Sequence, residues 1–119
     1  WNVTGPMFHS LHLLFEQQYT ELATAVDTIA ERIRALGDKA PGSYAAFARL
    51  SSVKDAEGEP DATEMLKTLT ADHRIVAERA NKVLKLAAGH EDEGTAAIAS
   101  ECIEIHEKAA WMLSAHLGD

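Results

Sequence analysis

Residues 1–37, WNVTGPMFHSLHLLFEQQYTELATAVDTIAERIRALG, hold one long helical pattern that decides the fold class. Helix-favouring residues dominate from Met7 to Leu36, and apolar and polar residues nowhere alternate at the period of a strand. Gly37 then supplies a residue typical of helix ends. A helix of about 30 residues is about 45 Å long, which is typical of four-helix bundles.

The rest of the chain predicts two more long helices and one short one. Asp61 and Glu64 have the spacing of a capping box and begin a helix that runs to about residue 88. Thr95 is expected to cap a third long helix, which extends through residue 117. The crossover before Asp61 contains a short helical segment at 44–50. We therefore expect an all-α bundle with a short extra helix in its long crossover.

Three long helices are one fewer than a four-helix bundle needs. The opening segment WNVTGP is typical of a turn between two helices, because Gly5-Pro6 breaks the chain and Trp1 would end an earlier element. The sequence thus predicts that the first helix of the bundle is missing from these 119 residues. Residues 1–119 are expected to form one domain that is incomplete at its N-terminus.

Composition limits the function classes. The net charge of −8 disfavours binding to phosphate backbones, and no run of basic residues offsets it. No apolar run approaches the ~20 residues of a membrane span, and no export signal is visible. The single cysteine, Cys102, cannot form an internal disulfide, which is typical of a reducing compartment. We expect a cytoplasmic protein.

The first helix carries two stripes on a helical wheel. One is apolar and is expected to face the core; it consists of Leu11, Phe15, Leu22, Val26, Ile29 and Ile33. The second stripe spans about 100° and holds four side chains able to bind a metal: His12, Glu16, Asp27 and Glu31. Asp27 and Glu31 are four residues apart, so their like charges destabilise the helix unless a cation lies between them. Carboxylates with an imidazole suit iron, manganese or zinc.

One chain cannot bring these ligands to one ion, because His12 and Asp27 lie about 22 Å apart along a helix. Antiparallel two-fold pairing of this helix with its copy would create two identical sites, each with His12 from one chain and the Asp27–Glu31 pair from the other. The helices would cross near Ala23, where small side chains allow close approach. The alternative is a solvated helix face with no ligand.

The stretch quoted first resembles the Dps family, the ferritin-like DNA-binding proteins from starved cells. Family members carry HWNVxGPxFxxLHxxFExxYxxLxxxxDxIAERI, and the segment IHEKAAWMLSAHLG at 105–118 resembles their closing HEKTAWMLRA motif. The resemblance covers the whole chain and implies a ferritin-like four-helix bundle that assembles from two-fold dimers into a hollow dodecamer. It also implies a ferroxidase that oxidises Fe(II) to Fe(III), preferentially with hydrogen peroxide, stores the iron and protects against oxidative damage.

Carried onto this sequence, the family's iron ligands are His12, Asp27 and Glu31, with Glu16 at an assisting acidic position. The family's further His ligand precedes Trp1 and lies outside the sequence. So does the basic N-terminal tail, so the residues present do not support DNA binding. The resemblance implies a cytoplasmic protein, with association with the nucleoid as an alternative.

Two alternatives complete the expectations. A non-catalytic ferritin-like shell or interaction protein that has lost iron chemistry remains the alternative function. The Glu-x-x-His spacing of bacterioferritin-type sites is absent, so no site is expected inside the bundle. His73 is accordingly expected to be a surface residue or a structural contact.

Overall fold

A computed structural model describes all 119 residues, which form four helices and no strand. They are α1 (Phe8–Ala35), α2 (Tyr44–Leu50), α3 (Ala62–Gly89) and α4 (Glu93–Ala115). The all-α prediction is confirmed, including the short helix in the crossover. None of the helices combines the length and the apolar character of a membrane span.

Side-chain caps set where α3 and α4 begin. The Asp61 carboxylate accepts a hydrogen bond from the Glu64 N–H at 2.9 Å, and the Glu64 carboxylate accepts one from the Asp61 N–H at 3.0 Å. This is the predicted capping box. The predicted cap of α4 is wrong: the Asp92 carboxylate accepts from the Thr95 N–H at 3.0 Å, so the cap lies three residues earlier and α4 begins at Glu93. An aspartate is at least as good a cap as a threonine.

The core lies at one end of the bundle. Val3, Leu11, Leu66 and Leu113 are each 2% exposed or less, and they bring together the N-terminal segment, the start of α1, the start of α3 and the end of α4. Away from this cluster, α3 and α4 pack along their length through small side chains, which let helix axes approach closely. The buried alanines among them are Ala77, Ala87, Ala99, Ala109 and Ala110.

The apolar stripe predicted for α1 is only partly a core face. Leu11 is fully buried, but Leu22, Val26 and Ile29 are 41%, 60% and 41% exposed. The reason is that α1 touches the α3–α4 pair at few points and buries a neighbouring face that includes Gln18. No helix of this chain covers the exposed stripe, and α1 therefore offers an apolar surface beside its acidic one.

Candidate metal centre

The predicted ligands all lie on α1, which is continuous from Phe8 to Ala35. The imidazole of His12 is half-buried and stacks on Phe8, with ring centroids 5.3 Å apart and an interplanar angle of 29°. The side chains of Glu16, Asp27 and Glu31 are exposed, and neither of the two salt bridges in the structure involves them. These donors are therefore free to bind a cation.

A surface cavity of about 370 Å³ adjoins the first half of the stripe. It is lined by Trp1, His12, Phe15, Glu16 and Tyr19. His12 and Glu16 thus share one cavity wall, one helical turn apart. The indole of Trp1 is 92% exposed at the same place, so an aromatic side chain stands beside the candidate ligands without packing into the core.

Within one chain the candidate ligands do not converge. No group of three or more His, Cys, Asp or Glu side chains surrounds a common metal position. His12 lies about 22 Å from Asp27 along the helix, as the sequence requires. A carboxylate and imidazole set suits iron, but the helix presents it as two halves, with His12 and Glu16 at one end and Asp27 and Glu31 at the other.

Arg32, which sequence reasoning missed, fixes the acidic half of the stripe. Its Nη2 pairs with Asp92 Oδ1 at 2.7 Å, and its Nε–H donates to Thr95 Oγ1 at 3.1 Å. Hydrogen bonds from the Thr95 hydroxyl and backbone N–H hold the pKa of Asp92 below its usual value, and Arg32 adds to that effect. The end of α1 that carries Glu31 is thereby tied to the start of α4.

A second polar group lies inside the bundle. His73 on α3 and His106 on α4 are 7% and 5% exposed, and their Nδ1 atoms are 2.8 Å apart. The surface alternative for His73 is therefore wrong, and the structural-contact alternative is confirmed. Burial lowers the pKa of both imidazoles. Nothing local could have signalled a contact between residues 33 positions apart.

The family model for the ferritin-like domain matches residues 1–119, the whole chain. The chain is 39% identical over 115 residues to a low temperature-induced protein of Nostoc sp.; the match covers 95% of this chain and 64% of that protein. It is 36% identical over 117 residues to DNA protection during starvation protein 2 of Bacillus anthracis, covering 98% of this chain and 80% of the relative.

A solved structure gives the same result for the fold. The chain superposes with a TM-score of 0.92 and 33% identity on the Dps protein of Vibrio cholerae O1, which is described as a member of a broad superfamily of ferritin-like diiron-carboxylate proteins. The superposition covers 98% of this chain and 74% of that one. Since the chain spans 64% of the length of the Nostoc protein, these likenesses describe part of a longer relative.

Proposed function

The chain belongs to the Dps family of ferritin-like proteins, and from that premise we propose that it oxidises and stores iron at sites shared between two copies. One observation carries the proposal. The stripe of α1 presents His12, Glu16, Asp27 and Glu31 without salt bridges, on a face that no other helix of the chain covers. Asp27 and Glu31 are like charges four residues apart, and their repulsion lowers the stability of the helix. A bound cation would offset this repulsion.

Two-fold antiparallel pairing of α1 with its copy supplies the missing half of each site. A site then takes His12 from one chain and Asp27 and Glu31 from the other, with Glu16 assisting beside His12. The pairing brings the half-buried His12 together with two exposed carboxylates and leaves the buried end of α1, around Leu11, in place. Twelve copies arranged as six such dimers would enclose a storage cavity, as the family resemblance implies.

The chemistry follows from the donors. Anionic oxygen ligands stabilise Fe(III) more than Fe(II), so a carboxylate-rich site favours loss of an electron by bound iron. Two Fe(II) ions each give one electron to one molecule of hydrogen peroxide. The O–O bond breaks, and two protons complete two molecules of water. Because each peroxide molecule receives two electrons at one confined site, its one-electron reduction is limited. That one-electron reaction is the one that releases hydroxyl radicals.

The site's role is tested by removing the acidic half. Asp27→Asn with Glu31→Gln removes two charges and keeps the side-chain size, so we expect peroxide-driven oxidation of Fe(II) to fall to the rate in buffer, with the helical content unchanged. The measurement is anaerobic loading with Fe(II), then addition of peroxide and recording of ferric absorbance.

A matched control removes the same charge elsewhere. Glu104→Gln with Glu107→Gln changes two exposed carboxylates of α4, and should oxidise iron at the unmodified rate. Normal oxidation by the Asp27 and Glu31 variant would contradict the site assignment. Oxidation by the unmodified protein no faster than in buffer would favour the non-catalytic shell instead.

A further inference from the structure

A small, partly open cavity lies between α1, α3 and α4. Its volume of about 30 Å³ is enough for one water molecule or one metal ion. Its polar lining consists of Gln18, Glu21, His73, Cys102 and His106, and the rest is apolar. The proposed iron site uses none of these five residues.

Two imidazoles that line this cavity face each other through the same atom. The Nδ1 atoms of His73 and His106 are 2.8 Å apart, with ring centroids at 5.0 Å and an interplanar angle of 42°. Without a ligand, one neutral imidazole must donate its Nδ1–H to the Nδ1 lone pair of the other. A tetrahedral ion with bonds of about 2.0–2.1 Å would set the two nitrogens about 3.3 Å apart. The rings need to separate by only about half an ångström.

Gln18 gives a second, independent indication of a ligand. The side chain is 7% exposed and its Nε2 atom is buried without a hydrogen-bond partner. Leaving a buried polar group unpaired costs about 1–3 kcal/mol. The amide can turn by 180°, which presents Oε1 in place of Nε2. Gln18 therefore lines this cavity with an unpartnered Nε2, and only after the amide turns would its Oε1 be a neutral oxygen donor for an ion.

Glu21 supplies the charge. It lies three residues after Gln18 on α1, so the two side chains share a face of the helix. In the structure its carboxylate is exposed and accepts a hydrogen bond from Gln17 Nε2 at 3.0 Å, so it does not meet the two imidazoles at a common metal position. Binding of an ion therefore requires the Glu21 side chain to turn inward. This face is turned about 80° or more around α1 from the four ligands of the stripe that begins at His12. The two candidate sites are thus separate.

We infer that this cavity binds one divalent transition-metal ion, with Zn(II) as its probe, between His73 Nδ1 and His106 Nδ1, with Gln18 and Glu21 completing the ligand set. Two imidazoles and two oxygen donors suit zinc and its neighbours in the first row. On binding, the proton shared by the pair moves to the Nε2 atom of the donating ring, so both imidazoles stay neutral. The ion joins α1 to α3 and α4 in the middle of the bundle.

The test is done on the Asp27→Asn, Glu31→Gln protein, so that failure of this site and failure of the proposed iron site are distinguishable. Titration with Co(II), which reports zinc-type sites through its visible absorption, should saturate at one ion per chain. His73→Gln and His106→Gln should each remove this absorption, whereas His90→Gln, at an exposed histidine, should keep it. Retention of the band in both core variants would overturn the inference.

A second measurement keeps both core histidines, so its result does not depend on whether the His73 and His106 variants fold. Crystals of the same Asp27→Asn, Glu31→Gln protein, soaked in Zn(II), should show an anomalous peak about 2.1 Å from both Nδ1 atoms. No peak there, or peaks only at surface carboxylates, would show that the histidines make only a hydrogen bond.

Discussion

His73 and His106 show at the residue scale how packing decides a charge state. Desolvation lowers the pKa of each imidazole; the negative charge of Glu21 opposes this at His73, and the neighbouring imidazole adds to it at His106. Both rings are therefore neutral in the folded protein near pH 7. Two charged imidazoles with Nδ1 atoms 2.8 Å apart would repel each other and would lose the hydrogen bond between them.

The pH dependence of stability follows from this pair. In the unfolded chain a histidine takes up a proton near its ordinary pKa of 6.5, whereas the folded pair does so only at lower pH. The unfolded state therefore binds more protons below about pH 6.5, and the free energy of unfolding falls as the pH drops through that range. Above it, the contribution of the pair is fully present.

Thermal melts between pH 5 and 8 measure this effect. We expect the melting temperature to decline below about pH 6.5, and the decline to become shallower in His73→Gln with His106→Gln. His116→Gln serves as control because His116 is exposed, and it should keep the full decline. Equal slopes in the unmodified protein and the double core variant would contradict the role given to the pair.

At the scale of elements, helix boundaries were predictable because their signals are local. The Asp61–Glu64 box and Gly37 decide where α3 begins and α1 ends through contacts within a few residues. Gly37 adopts φ +96°, a conformation that glycine takes without strain. The start of α4 was misplaced because Asp92 and Thr95 are both good caps, and Asp92 in addition pairs with Arg32, 60 residues earlier. Long-range contacts of this kind are absent from local sequence patterns.

Gly94 offers a test of the Arg32 anchor between α1 and α4. In a helix, Gly→Ala ordinarily stabilises by about 0.5–1 kcal/mol. A Cβ at Gly94 would lie 2.9 Å from Arg32 Nη2 and 3.0 Å from Arg32 Cζ, which displaces the guanidinium from Asp92. We therefore expect Gly94→Ala to leave the melting temperature unchanged or lower it by a few degrees.

Gly89→Ala is the matched control in differential scanning calorimetry. Gly89 ends α3, and a Cβ there meets nothing within 4 Å, so this substitution should raise the melting temperature. If Gly94→Ala raises the melting temperature as much as Gly89→Ala does, the contact between Arg32 and the start of α4 does not stabilise the position of α1.

At the scale of the whole molecule, α1 is the least covered of the three long helices. Its exposed side joins an apolar stripe, with Val26 60% exposed, to the acidic stripe that holds Asp27. The sequence predicted which residues lie on each stripe, because helical periodicity is local. It could not predict that Leu22 and Ile29 stay exposed, because that depends on which elements cover α1. The pairing of α1 with a copy likewise remains a prediction.

A large charged side chain at the proposed crossing point should prevent dimer assembly without preventing the chain from folding. Ala23 is exposed and near the middle of the acidic stripe, so Ala23→Arg puts a long charged side chain where two helices would approach. We expect the helical content to be kept, while dimers decrease and peroxide-driven oxidation falls at least tenfold. Size-exclusion chromatography with light scattering measures the first effect. Ala71→Arg, at an exposed position of α3, is the control for added charge; normal oxidation by Ala23→Arg would argue against this crossing.

Mixing two inactive variants tests the shared site most directly. His12→Ala lacks the imidazole in both sites of its dimer, and the Asp27→Asn, Glu31→Gln protein lacks the acidic half in both. When the two are unfolded together and reassembled in equal amounts, half of the dimers are mixed, and each mixed dimer regains one intact site of two. We predict recovery of about a quarter of the unmodified oxidation rate. A mixture as inactive as its parents, with mixed dimers shown by mass, would contradict a site built from two chains.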